Sequence, residues 1–178
     1  MDYIKKSKEE LIKEIENLKK NKSLDADKSY KDLFDNSPNL LYIQNKDGQF
    51  IDVNKTVINK YGFKKEEIIG KYPDFLAGPN NDLKKISKSI EKAWNGNIQI
   101  FEFVAKKKNG DVFLKKVTVQ KIFYFGKEAI VSSAIDITKQ KVIENHLKEN
   151  ERRYRNIFSK NLAGVFITED GIIVECNN

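Results

Sequence analysis

A motif that opens at Tyr30 returns at Tyr154, and this return constrains the chain more than any other feature. The first copy reads Y-K-D-L-F-D-N-S-P-N-L-L-Y-I-Q-N-K-D-G-Q-F-I-D-V-N and the second Y-R-N-I-F-S-K-N-L-A-G-V-F-I-T-E-D-G-I-I-V-E-C-N. With one gap before the turn glycine, Tyr30, Phe34, Ile43, Gly48, Asp52 and Asn54 match Tyr154, Phe158, Ile167, Gly171, Glu175 and Asn177. Solenoid repeats recur every roughly 20–50 residues, and this interval is much longer. It suits a whole small domain. The expectation is a tandem array of one domain type, the second copy cut at Asn178 after its first hairpin.

Bulk properties narrow the classes. Apolar residues make up 39% of the 178 and concentrate between Leu33 and Ile137, enough for one core. No run approaches the roughly 18 apolar residues of a membrane helix, and the charged start lacks an apolar signal region. A cytoplasmic location is expected, with no membrane contact in this segment. The single Cys176 excludes an internal disulfide framework and a multi-cysteine metal site. The net charge is +7, but only Arg152, Arg153 and Arg155 are arginines among 33 basic residues. Arginine is the preferred reader of phosphates and guanine edges, so no nucleic-acid partner is expected.

Residues 4–20 read as a helix. Ile4, Leu11 and Leu18 fall at heptad spacing, with Ile15 on the second seam beside a charged Lys8. Polar residues 21–29 read as a connector, and 30–35 as a helical turn stopped by Ser37-Pro38. Strands at 40–44 and 50–53 flank the hairpin turn Asn45-Lys46-Asp47-Gly48. Short helices follow at 55–68, broken at Tyr61-Gly62. A longer one spans 81–95, with Leu83, Ile86, Ile90 and Trp94 on one stripe. Strands at 98–106, 112–123 and 128–135 come last. Hairpins at both ends and helices between predict an α+β domain with the helices on one sheet face.

The stretches F-I-D-V-N at 50–54, Y-G-F-K-K-E-E-I-I-G-K at 61–71, K-K-K-N-G-D at 106–111 and D-I-T at 136–138 resemble, in order and spacing, a PAS domain of the S-box type. The resemblance covers residues 30–138. It implies the PAS fold, a five-stranded antiparallel sheet of order 2-1-5-4-3 with a ligand-sized cavity beneath helices. The resulting division is a leader helix and connector at 1–28, a PAS domain at 29–138, a linker helix at 139–153 and a second, truncated PAS domain from 154.

The segment G-K-Y-P-D-F-L-A-G-P at 70–79 resembles the flavin loop of light-oxygen-voltage domains. Pro73 stands where that subgroup has its adduct cysteine. Ala105, Lys115 and Ala134 stand where it has flavin-bonding amides. Flavin is therefore disfavoured. Haem is too, because the only histidine, His146, lies past Thr138, where it reads as a solvated helix residue. Cys176 has no visible base nearby and matches the strand residue Val53. No cofactor is expected, but a small-molecule ligand fits the resemblance. Strand alternation predicts pocket walls of Phe101, Phe103 and Ala105; Phe113, Lys115, Val117 and Val119; and Ser132 and Ala134, with Phe75 and Trp94 closing the helical side. An inward Lys115 demands a partner, either an acidic ligand or a nearby carboxylate.

Asp136 and Thr138 are good capping residues for a helix starting at about Lys139. From there Ile143, Leu147, Asn150, Tyr154 and Ile157 keep heptad spacing. This helix predicts a signal relay and, with the leader seam, a homodimer. The resemblance implies the sensory input of a modular protein, a histidine kinase by frequency, whose output domain would be the downstream partner. A dimerising scaffold, or the input of a diguanylate cyclase or transcription regulator, is the alternative. No nucleophile–base pair or phosphate loop suggests an enzyme within the chain.

Overall fold

Asn45 sets the first hairpin: its Oδ1 accepts from the Asp47 and Gln49 amides at 3.1 and 2.9 Å, and Gly48 takes the positive φ of 83° the turn needs. The structure, a computed structural model, describes residues 8–160, 164, 166–170 and 172–176. These fall into two units, Met1–Ile135 and Asp136–Asn178.

In the first unit the hairpin joins β1 (Leu40–Gln44) to β2 (Phe50–Val53). Tyr42 pairs with Val53 and Ile43 with Asp52, after which the register breaks and Gln44 meets Phe50. Next come α2 (Lys55–Tyr61), α3 (Lys65–Ile68), a 3-10 turn (Pro73–Leu76) and α4 (Leu83–Trp94). Strands β3 (Gln99–Lys106), β4 (Val112–Tyr124) and β5 (Lys127–Asp136) complete one antiparallel sheet in the order β2-β1-β5-β4-β3, the order the resemblance implied.

One face of that sheet meets the helices and encloses the main core, built from residues such as Tyr42, Val53, Tyr61, Ile68, Leu76 and Val119. The other face packs Ile43 and Ala129 against Phe34 and Tyr30 near the end of α1 (Lys8–Asp35). A buried asparagine ties these layers. Asn54 is the N-cap of α2: its Oδ1 accepts from the Leu41 and Val57 amides, and its Nδ2 donates to the Phe34 and Asn39 carbonyls at 3.0 and 2.9 Å. Every polar atom of this side chain is satisfied, as burial requires.

At the β3 edge, Gly78 donates to the Val104 carbonyl at 2.9 Å. A Cβ at Gly78 would come within 2.8 Å of Val104 Cγ1, so only glycine permits this approach. Asn81 adds bonds to both the amide and the carbonyl of Val104, so a loop covers part of that edge.

The connector expected at 21–29 is helical, and α1 runs unbroken through it to Asp35. Those residues include neither Gly nor Pro. Their polar side chains cost only tenths of a kcal/mol each, up to roughly 0.7, relative to Ala, and a helix already nucleated propagates across them. Of the seam residues, Ile4 lies outside the described residues, while Leu11, Ile15 and Leu18 are exposed.

The second unit consists, among the described residues, of α5 (Thr138–Lys160) and an antiparallel hairpin of β6 (Phe166–Glu169) and β7 (Ile172–Cys176). Ile143, Leu147, Asn150, Ile157 and His146 are exposed on α5. Cys176 is a free, exposed thiol.

Candidate functional site

Side chains alternate along β4, so Phe113, Lys115, Val117 and Val119 all turn to the helical face. Three of these are apolar. The fourth places an ammonium in the core: Lys115 is only 6% exposed. Its Nζ donates to Tyr42 Oη at 3.1 Å. It also lies 4.4, 4.9 and 5.5 Å from the ring centroids of Tyr42, Phe103 and Tyr61. Tyr42 in turn donates to Tyr61 Oη at 3.1 Å. The ring faces favour the cation, but removal from water disfavours it more, pushing Lys115 down to about 7. Burial raises the Tyr42 phenol, helped by the neighbouring Tyr61.

Lys115 opens on a cavity of about 60 Å³. Polar groups reach it from two neighbouring strands: Gln44 on β1, and Ser132 on β5, whose hydroxyl donates to Gln44 Oε1 at 3.5 Å. The remaining wall is apolar, with Phe50, Leu76, Ile86, Ile90, Phe101 and Val117 prominent.

Of the expected wall residues, Phe101, Phe103, Lys115, Val117 and Ser132 line the cavity together. Phe113 stands beside it, edge-on to Tyr61 at 5.1 Å. Val119, Ala105 and Ala134 are fully buried in the core away from the opening. Phe75 is half-exposed and packs on Phe63 at 5.0 Å. In a 3-10 turn residues three apart share a face, so Pro73 and Leu76 reach the wall and Phe75 turns from it. Trp94 packs at the core margin, one turn beyond Ile90. Sequence reasoning missed Tyr42, Gln44 and Phe50. The signal was present, since Tyr42 and Gln44 continue the inward alternation of β1 and Gln44 is polar among apolar neighbours.

The cavity does not fit a flavin. Drug-sized ligands need roughly 300 Å³ or more, and at the subgroup's amide positions stand two buried alanines and a cation. Among the described residues, no group of three or more His, Cys, Asp or Glu could hold a metal, and no helix is long and apolar enough to cross a membrane.

In the second unit, Asp136 Oδ1 accepts from the Thr138 amide at 2.9 Å, and the Ile137 carbonyl accepts from Lys141 at 2.9 Å. Ile137 is thus the backbone cap of α5, with the Asp136 carboxylate over the first turn and Thr138 at the first helical position.

A family model described as PAS domain matches residues 38–139. A methyl sulfide methyltransferase-associated sensor of Methanosarcina acetivorans is 29% identical over 147 residues, covering 82% of this chain and 15% of that protein. Sporulation kinase E of Bacillus subtilis is 27% identical over 157 residues, covering 83% of this chain and 20% of that protein. The chain therefore spans a fifth or less of these curated relatives. The PAS domain of an HTR-like protein from Haloarcula marismortui superposes with a TM-score of 0.61 at 16% identity, covering 68% of this chain and 99% of that one. A PAS domain from a two-component sensor histidine kinase gives 0.52 at 14% identity, covering 64% and 98%. At such identities structural likeness speaks for the fold alone. The family model, however, takes in more than half of the chain and the entire sheet that frames the Lys115 cavity, so the chain belongs to the PAS domain family and carries a signal-sensing domain of it.

Proposed function

We propose that this region is the cytoplasmic sensory input of a histidine kinase, in which a PAS domain at 29–138 senses through the Lys115 cavity and relays along α5 to a second PAS domain starting at Tyr154. The observation that carries this reading is a path along one strand. Ser132 lines the cavity, and four residues on Asp136 closes the same strand and holds the first amide of α5. A shift of β5 on ligand entry would thus bear directly on the start of that helix. The kinase output is carried over from one relative, the sporulation kinase E of Bacillus subtilis. The exposed stripes of α1 and α5 support a homodimer.

The test uses the full-length protein with ATP and the double change Asp136→Ala, Thr138→Ala. Loss of the Asp136 carboxylate, which accepts from the Thr138 amide, costs about 1 kcal/mol, and Ala also removes its favourable interaction with the helix dipole. Hydrogen exchange should accelerate in residues 139–153 while 117–119 and 131–135 stay protected, and autophosphorylation should lose its normal level. Unchanged exchange in 139–153 would refute the joint. Absence of any phosphorylation in the parent would refute the kinase and leave a cyclase or transcription regulator as output.

A further inference from the structure

We propose that the cavity beside β4 captures a short monocarboxylate, about the size of acetate or propionate, with the Lys115 ammonium as its counter-ion and its alkyl end on the apolar wall. This names the ligand class of the sensing site proposed above and rests on that site being the cavity.

Among the described residues Lys115 is the one charged side chain that is buried. A buried cation is retained where a negative charge or a full set of acceptors compensates it. An ammonium has three donors. One goes to Tyr42 Oη, and no carboxylate of the described residues forms a salt bridge with the group. The rings of Tyr42, Phe103 and Tyr61 compensate only in part. The missing element is an anion, and the cavity is where it would enter.

Size and polarity restrict that anion. A cavity of about 60 Å³ is under half of one that holds the six carbons of benzene, at about 150 Å³. A second negative charge would face Leu76, Ile86, Ile90 and Val117, with nothing to receive it. Within the same cavity, the Ser132 hydroxyl makes only a long bond to Gln44 and can turn to a carboxylate oxygen. One carboxylate at the lysine end and a few carbons at the other match this division.

The ionisable groups that face Lys115 are the phenols of Tyr42 and Tyr61, while Gln44 and Ser132 are neutral and α4 and the 3-10 turn present apolar side chains. With Lys115 pushed down to about 7, affinity should fall about tenfold from about pH 6 to about pH 8 as the ammonium is lost.

Titration calorimetry on the purified chain, with sodium acetate, sodium propionate and neutral propionamide, tests the assignment. Saturable binding of a carboxylate, at least tenfold weaker binding of propionamide, and loss in a Lys115→Met variant that circular dichroism shows to be folded are the expected results. Should that variant fail to fold, the Lys115 ¹³Cε resonance of the parent decides, because propionate should raise its titration midpoint by about one unit or more. No binding at millimolar carboxylate, equal affinity for propionamide, undiminished binding to Lys115→Met, or an unmoved midpoint overturns the proposal. Carboxylate binding that leaves the full-length output unchanged would instead refute the relay and keep this site. Failed binding leaves the Asp136–Thr138 test standing.

Discussion

The stretch from Tyr30 to Val53 and the stretch from Tyr154 to Cys176 share local geometry and differ in what surrounds it. Tyr30 stacks on Phe34 at 5.3 Å and 25°, and Tyr154 on Phe158 at 5.5 Å and 15°. Tyr42 pairs with Val53 and Ile43 with Asp52 before a register break; Phe166 pairs with Cys176 and Ile167 with Glu175 before another at the equivalent place. Yet Tyr42 is 2% exposed and Phe166 63%, and Phe50 is 4% exposed against 60% for Ile173. Hairpin register is thus a property of the turn and its neighbours. Burial comes from the layers of β3 to β5 and α2 to α4, which the first copy has and the described residues of the second unit lack. A lone two-stranded hairpin is marginal in water.

The strongest test of what those layers impose is Lys115. Its folded-state pKa of about 7 lies below the ordinary 10.5, so unfolding takes up a proton between these values and stability rises with pH across that window. The whole penalty applies below about pH 7 and is gone above about 10.5. Denaturant titrations of the parent and of Lys115→Met should diverge by on the order of 5 kcal/mol over that range. Parallel curves would mean that the lysine is solvated or paired.

A smaller effect separates the two hairpins directly. Phe50→Ala should cost about 3–5 kcal/mol, as for a large buried aromatic. The equivalent Ile173→Ala should stay within about 0.5 kcal/mol, as for a surface change. Urea midpoints decide, and similar losses at both sites would show that the second hairpin is already packed in this chain.

The smallest expected effect on core stability, again about 0.5 kcal/mol or less, comes from the helices that lead the two copies. Leu11 and Leu147 are exposed on α1 and α5, so Leu11→Asp with Leu147→Asp should leave thermal unfolding nearly unchanged while sedimentation shifts from dimer to monomer. Identical sedimentation of variant and parent would remove the heptad seams as an interface.

Much of this was legible in the residues. The bounds of β1 and β2 follow from the hairpin turn Asn45–Gly48, and the ends of α2 and α4 from Gly62 and Gly96. These are local rules acting over a few residues, and the inward direction of Lys115 is another, read from the period of β4. The family resemblance added the strand order, which no periodicity specifies. Tertiary structure decided the rest. It chose Leu76 and Ile86 over Phe75 for the cavity wall, and brought Tyr42 and Gln44 to the lysine from a strand far from it in sequence. It also left one hairpin buried and its repeat exposed. Local sequence sets which way a side chain points, but what it meets there depends on non-local packing, and that packing is where burial shifts a pKa and shapes a cavity.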